Sequence, residues 1–583
     1  MMCFAMMLAT PNEVALCANG LTETRVYVII VKDTFAIKKE KTMGYQKDTI
    51  VYQIYPRSFK DTTGNGVGDI RGIIEGLDHL ADLGINMIWL SPVYVSPNDD
   101  NGYDIADYTA IQPEFGTMED FDELLAKAKE RGIGILMDLV INHTSDEHEW
   151  FRRALAGEEK YKNYYIIKKG KNGKLPNNWG NFFAECPWAK FGDSKDEYYL
   201  HLFSKKQPDL NWDNPEVLEE IKKIMRFWLD KGVAGFRCDV INVIHKNSLE
   251  NGRPRAILTG QEHYLSTEGC HKILQTLNRE VIAPYGAFTV GETVFVDVPK
   301  AKDLTLPERE ELDMVFAFEH MECDQVIVKW FKTKLRPRRL MKCLTKWQTA
   351  LDWNACYFEN HDQPRFISRF ADLGDYRKEA SKMMAGLMMT LRGTPYMHEG
   401  QEIGMTNGDF ANLDEVEDIE SHNIWAMAKT LGIPKGIRWK MIQRTSRDNG
   451  RTPMQWTSGK NAGFSNGKPW LKVNGNHTEV NVETEKADPN GVLAFWKKMI
   501  SLRKTHPVLL DGSFRSVYEG RSVYVFAREL DGKTLLSVCN MTGKSTKLPS
   551  VVGKSGKLVA CNYQESNSDT LKPFEFRLLE IEK

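Results

Sequence analysis

Between about residues 49 and 400 the chain alternates short β-rich runs with amphipathic stretches, and nothing else constrains its fold as strongly. The runs are TIVYQIY, INMIWLSPV, IGILMDLV, VAGFRCDV, AFTVGE, MVFAFEH, ACYFENHD and PYMHEG. Between them lie segments such as Glu119–Arg131 and Val217–Lys231, whose apolar residues recur at helical spacing. Strands alternating with helices predict a parallel sheet. Eight of them predict a closed (β/α)8 TIM barrel of the α/β class rather than an open doubly wound sheet. Most runs end in polar groups: Asp138 to His143, Arg237 and Asp239, Glu292, Glu319 and His320, Asn360 to Asp362, His398 and Glu399. Any one of these could be a helix cap or a loop residue. Their coincidence points to a site, because barrels of this kind place their active sites at the C-terminal ends of the strands.

Two stretches interrupt the alternation. Residues 144–213 carry Gly, Asn, Lys and aromatics with little periodicity, which is too long for a structureless loop in a compact domain. They are expected to form an excursion domain (domain B) over the barrel mouth, after the third strand. Beyond about Leu510 the pattern becomes all-β, with SVYEG, SVYVFARE, TLLSVCNMT and FEFRLLEIE separated by turns. The expected partition is a barrel over 43–143 and 214–510, the excursion over 144–213 and a C-terminal antiparallel β domain over 511–583. Residues 1–42 differ from the rest, and MGYQKDTIVYQIYPRSF reads as a natural start. The first 42 residues are therefore expected to be an N-terminal extension, either a disordered leader or a misassigned start.

The 77 Lys and Arg residues nearly cancel the 79 Asp and Glu residues, leaving a net charge of −2 and no electrostatic footprint for a nucleic-acid partner. No run of about 18 apolar residues free of charge occurs, so no membrane-spanning helix is expected. The ten cysteines form no CxxC pair and no metal-type spacing, and a chain of this size needs no disulfide staples. Reduced thiols and the lack of a basic n-region at the N-terminus argue for a cytoplasmic protein.

Three carboxylates stand at the ends of three different runs: Asp239 in GFRCDVI, Glu292 in TVGE and Asp362 in ENHDQPR. Retaining glycoside hydrolysis needs one carboxylate nucleophile and one carboxylic acid. A third carboxylate can keep the acid protonated by like-charge repulsion. Arg237 precedes Asp239 by two residues and so shares its face of a strand, where a cation keeps the nucleophile ionised. His143 and His361 can donate hydrogen bonds to sugar hydroxyls. From the residues alone the reading is a barrel hydrolase with several carboxylates.

At these residues the sequence resembles the α-amylase family of glycoside hydrolases, in its oligo-1,6-glucosidase and α-glucosidase branch. The matching segments are DLVINHTSDEH, QPDLNW, GFRCDVI, TVGE, FENHDQPR and RDNGRTPMQW, in order, over about residues 44–583. YQIYPRSF, NGYDIADY and the GTPY–EIGMTN stretch strengthen the match. The resemblance implies that Asp239 is the nucleophile, Glu292 the general acid/base and Asp362 the stabiliser of the oxocarbenium-like transition state. It implies that Asp104, His143, Arg237, His361 and Arg451 hold the terminal glucose, with Phe183, Phe203 and Gln207 as pocket walls. Val240, directly after the nucleophile, resembles enzymes that favour α-1,6 linkages.

The loop Asp61–Asp69 resembles the family's calcium loop, with Asp61, Asn65 and Asp69 as candidate ligands. Thr63 and Asn65 depart from the usual residues, so weak structural calcium or a metal-free turn is expected, since hard cations favour several anionic oxygens. Gly450 replaces the usual Ala before Arg451, and Cys238 is expected to face the packing layer, away from Asp239. No organic cofactor is implied. The leading expectation is a monomeric retaining exo-α-glucosidase acting on small isomalto-oligosaccharides. The alternatives are trehalose-6-phosphate hydrolysis, α-1,4-glucosidase activity with the same trio, and, more remotely, an inactive barrel serving as a partner subunit.

Overall fold

A computed structural model describes residues 46–581, apart from 172, 184, 256, 327, 372–375, 554–555 and 567–568, together with the backbone of 26–31 and 34–39. The expectation for residues 1–42 falls largely outside the described residues. Within that stretch the backbones of Val26–Val31 and Thr34–Lys39 pair antiparallel.

Eight parallel strands form the centre: β1 (Val51–Ile54), β2 (Met87–Leu90), β3 (Gly134–Leu139), β4 (Gly235–Cys238), β5 (Phe288–Glu292), β6 (Met314–Phe316), β7 (Ala355–Cys356) and β8 (Thr394–His398). The ladder runs β6-β5-β4-β3-β2-β1-β8-β7, and the two ends of that order, β6 and β7, lie against each other. The result is a near-closed TIM barrel, as the alternation predicts. Each strand leads to a helix: α1 (Ile70–Leu83), α2 (Met118–Glu130), α3 (Pro215–Lys231), α4 (Glu268–Leu277), α5 (Val298–Thr305), α6 (Pro337–Ala350), α7 (Arg377–Thr390) and α8 (Val492–Thr505).

Local chemistry sets these boundaries. Asp69 caps α1 by accepting from the Gly72 amide, and Thr117 and Asp120 close a reciprocal capping box on α2. Asn214 caps α3 ahead of Pro215, and Gly232 ends that helix in the left-handed region. β4 opens on Gly235 because a Cβ there would lie 1.9 Å from the Phe288 carbonyl of β5. Rings fill the barrel interior: Trp89 of β2 lies 5.6 Å from Phe316 of β6, which lies 4.7 Å from Tyr396 of β8.

Between β3 and α3 the chain forms a three-stranded antiparallel sheet from Ile167–Lys169, Glu197–Leu200 and Trp188–Lys190. Its aromatic cluster includes Trp179, Phe183, Trp188 and Phe203, and it takes in Val240 from the end of β4. After α8 comes a five-stranded antiparallel sheet: β9 (Ser513–Glu519), β10 (Val523–Leu530), β11 (Lys533–Asn540), β12 (Lys557–Cys561) and β13 (Phe576–Ile581). β12 has no counterpart among the C-terminal runs read from the sequence, since KLVAC is short and lacks alternation. Two helices, Ile419–Thr430 and Lys435–Thr445, are inserted between β8 and α8 and lead into the segment that carries Arg447. Among the described residues no helix is long and apolar enough to cross a membrane.

Candidate active site

Arg237 is the hub of the site. It is fully buried near the end of β4, in register with Asp138 of β3 and Val290 of β5. Its Nη1 donates to Asp138 Oδ1 and Asp239 Oδ1, each at 2.5 Å, and its Nη2 pairs with Glu292 Oε2 at 2.7 Å. The guanidinium lies 5.1 Å above the Trp89 ring. One buried cation therefore holds three carboxylates from three adjacent strands, an arrangement that would be untenable without it. Burial and the neighbouring Glu292 and Asp138 work against the charge on Asp239, and the Arg237 guanidinium at 2.5 Å opposes them and favours the carboxylate. Asp239 and Glu292 both face a cleft of about 240 Å³ at the C-terminal end of the barrel.

Asp362 faces the same cleft from the segment after β7. Burial alone would raise its carboxyl, but His361, Arg451 and Arg447 hold it well below the usual range. Arg451 Nη2 donates to Asp362 Oδ1 at 2.8 Å, and His361 Nε2 lies 3.1 Å from Oδ2. The His361 ring stacks between Tyr103 and Tyr55, at 5.3 and 6.0 Å, and its Nδ1 is 2.6 Å from Gln53 Nε2. Gly450 backs this segment, and a Cβ there would come within 2.6 Å of the Asn360 carbonyl. Gly450 therefore leaves the Asn360 and Gln363 carbonyls room to approach it closely.

His143, Phe183, Phe203 and Gln207 all line the cleft. His143 Nε2 lies 3.1 Å from both the Tyr103 carbonyl and Gln207 Nε2, and Asn142 Nδ2 lies 3.2 Å from Nδ1. Burial pushes His143 down to about 4, so the ring is a neutral donor at ordinary pH. Arg237, His361 and Arg451 stand directly behind the lining carboxylates. Cys238 packs into the main core, away from Asp239 as expected.

Asp104 is elsewhere. Its carboxylate accepts from Ser96 Oγ and from the amides of Asp99 and Asp100, each at 3.0 Å, and it is fully buried. The acidic residue that reaches the cleft from NDDNGYD is Asp100, paired with Arg447 at 3.1 Å. In RDNGR it is likewise Arg447 that lines the cleft, above the Phe183 ring at 5.6 Å, while Arg451 supports Asp362. Both assignments slip by four residues along the chain because each motif offers two candidates of one charge. Sequence reasoning also missed Tyr103 and Phe182 in the wall, and Glu322, Lys329, Lys332 and Glu420 at the cleft. Lys329 pairs with Glu420 at 2.5 Å.

Val240 lies in the left-handed region at φ 35°, which is costly for a β-branched residue. It lines the cleft, and its amide donates to Glu292 Oε2 at 3.2 Å. The strain therefore sits between the two carboxylates that face each other across the end of β4.

The candidate calcium loop folds as a hydrogen-bonded turn. Asp61 accepts from the amides of Thr63, Gly64 and Gly66 and from the hydroxyls of Thr63 and Ser465. Asp69 accepts from Thr62 and from the Gly72 amide, and Asn65 Oδ1 from the Val67 amide. Amide and hydroxyl donors thus hold the turn through the Asp61 and Asp69 oxygens. Among the described residues no group of three or more acidic, His or Cys side chains is arranged to hold a metal.

Comparison with known proteins agrees with this geometry. The family model described as alpha amylase, catalytic domain, matches residues 53–512. The oligo-1,6-glucosidase of Parageobacillus thermoglucosidasius is 45% identical over 554 residues, covering 92% of this chain and 98% of that protein. The trehalose-6-phosphate hydrolase of Escherichia coli (strain K12) is 42% identical over 540 residues, covering 90% of this chain and 97% of that protein. Among solved structures, trehalose-6-phosphate hydrolase from Bacillus licheniformis superposes with a TM-score of 0.87 at 42% identity, covering 92% and 99% of the two chains. A barrel with its carboxylates gathered at the strand ends, matched over nearly its whole length, leaves one conclusion: the chain belongs to the alpha-amylase family of glycoside hydrolases.

Proposed function

We propose that this enzyme is a retaining exo-α-glucosidase that removes terminal α-1,6-linked glucose from small isomalto-oligosaccharides by double displacement. The observation that carries the reading is Arg237 holding Asp239 and Glu292 together at one cleft. Asp239 attacks the anomeric carbon while Glu292 protonates the departing oxygen, giving a covalent glucosyl-enzyme. Glu292 then takes a proton from water, which releases glucose of unchanged configuration. Ionised Asp362, held by Arg451, stabilises the positive charge that develops on the ring. The Asp100–Arg447 pair and the Phe183, Phe203, His143 and Gln207 walls give the inner end of the cleft the enclosure an exo-acting enzyme needs. Val240, held rigidly beside the scissile bond, supports the α-1,6 preference.

A second reading, trehalose-6-phosphate hydrolysis, is favoured by Lys329 and Lys332 on the cleft wall, where a phosphate could be met. Against it, Glu322 and Glu420 share that wall, and Lys329 is already paired. Initial rates on isomaltose, panose, maltose and trehalose-6-phosphate, run side by side, test the choice. Fastest cleavage of isomaltose and panose supports the main reading, and fastest cleavage of trehalose-6-phosphate replaces the substrate. Following the first-formed glucose by proton NMR tests retention; an initial β-anomer overturns it.

A further inference from the structure

β8 ends at His398, and the next residue, Glu399, is fully buried. Its amide donates to the Gln53 carbonyl of β1 at 3.1 Å, extending the parallel ladder by one step. The following step of such a ladder would bring the Tyr55 amide to the Glu399 carbonyl. That carbonyl instead accepts from Arg365 Nη1 at 2.5 Å, and Glu399 Oε2 takes the Tyr55 amide at 2.9 Å. One residue thus holds Gln53 by its main chain and Tyr55 by its side chain. Both of these support His361: Gln53 Nε2 lies 2.6 Å from its Nδ1, and the Tyr55 ring stacks on it at 6.0 Å and 12°. His361 Nε2 in turn lies 3.1 Å from Asp362 Oδ2. Asp362 lines the cleft, whereas Gln53, Tyr55 and Glu399 are not among its lining residues.

We propose that Glu399 is a positioning residue: by seating Gln53 and Tyr55 it fixes His361, and through His361 it fixes Asp362. Without the Glu399 acceptor the buried Tyr55 amide must find another partner. Any shift of the backbone over residues 53–55 then carries two supports of His361 with it. A small displacement of Asp362 weakens its hold on charge that develops only in the transition state, so the loss falls on kcat rather than on KM. Burial pushes the Glu399 carboxyl up to about 8, and its Oε1 has no hydrogen-bond partner among the described residues. A neutral carboxamide of the same shape therefore suffices at that position, since what the Tyr55 amide needs is an acceptor.

The test is a double-mutant cycle on the full chain with p-nitrophenyl α-glucoside, pairing Glu399→Met with His361→Asn. Glu399→Met keeps the side-chain length and removes the acceptor. We expect it to lower kcat about 30-fold with KM within about threefold of the parent, and Glu399→Gln to keep kcat within about threefold. In the His361→Asn background Glu399→Met should cost less than about threefold more, because the group it positions is already gone. A purely structural loss would lower both backgrounds alike. Equal losses in the two backgrounds therefore overturn the proposal, as does a Gln variant as poor as the Met variant. Should Glu399→Met yield no folded protein, Tyr55→Leu, which keeps the amide and removes the stacked ring, replaces it in the cycle under the same criteria. The proposal rests on the reading of Asp362 as the stabiliser of the transition state in a glucosidase. A parent enzyme that turns over no glucoside sinks both, whereas an active parent with an additive cycle sinks the positioning role alone.

Discussion

Arg447 reaches back across 347 residues of sequence to Asp100, with Nη2 3.1 Å from Oδ1, and both side chains are nearly buried. The pair joins the segment after the inserted helices to the segment after β2 and walls one end of the cleft.

Asp100→Asn therefore leaves Arg447 short of a partner where substrate is held. We expect kcat/KM to fall about 100-fold, equivalent to about 3 kcal/mol, with the circular dichroism spectrum unchanged. Asp104→Asn, four residues on, lines no part of the cleft and acts only through the Asp99 and Asp100 amides, so kcat/KM should stay within about tenfold of the parent. Steady-state kinetics on both variants checks the placement, and equal losses would contradict it.

On the proposed mechanism Asp239→Asn removes the nucleophile, and turnover should drop by about 10⁴-fold or more. Glu292→Gln should show a different pattern. Its loss should be severe on isomaltose, whose leaving alkoxide needs a proton, and much smaller on an aryl α-glucoside with an acidic leaving phenol. Comparing the two substrates on the two variants separates the roles.

On the proposed reading, Val240→Ala relieves crowding beside the scissile bond. The ratio of kcat/KM for isomaltose over maltose should fall by about tenfold, the scale of a methyl-sized change in a pocket. Paired kinetics on the two disaccharides reads this directly.

His143, His148 and His320 are each pushed down to about 4 by burial, against an ordinary value of 6.5. Their folded values are depressed, so the unfolded chain binds more protons between pH 6.5 and 4. Stability is therefore lost as pH falls through that window. His143→Gln removes one such proton, and the slope of unfolding free energy against pH should flatten there by about 1.4 kcal/mol per pH unit. Urea titrations at stepped pH measure it.

The Asp61–Asp69 turn is held by its own amides, so a chelator or added calcium should leave Tm unchanged. Asp61→Ala strands the amides of Thr63, Gly64 and Gly66 and should cost on the order of 2 kcal/mol. Differential scanning calorimetry with and without chelator checks both statements.

The barrel was legible because strand and helix periods are local: TIVYQIY, IGILMDLV and their counterparts declare buried strands without reference to anything distant. The three carboxylates that line the cleft were legible for the same reason, since Asp239, Glu292 and Asp362 each end their own run. What the linear pattern could not decide was orientation within a motif. Asp100 and Asp104, or Arg447 and Arg451, differ only in which way their segment turns, and pairing with partners 347 residues away for Asp100 and Arg447 and 89 residues away for Arg451 chose between them. Likewise, the three carboxylates on Arg237 and the left-handed backbone of Val240 exist only once β3, β4 and β5 stand side by side. Periodicity is written residue by residue, whereas a buried charge is placed by everything that surrounds it.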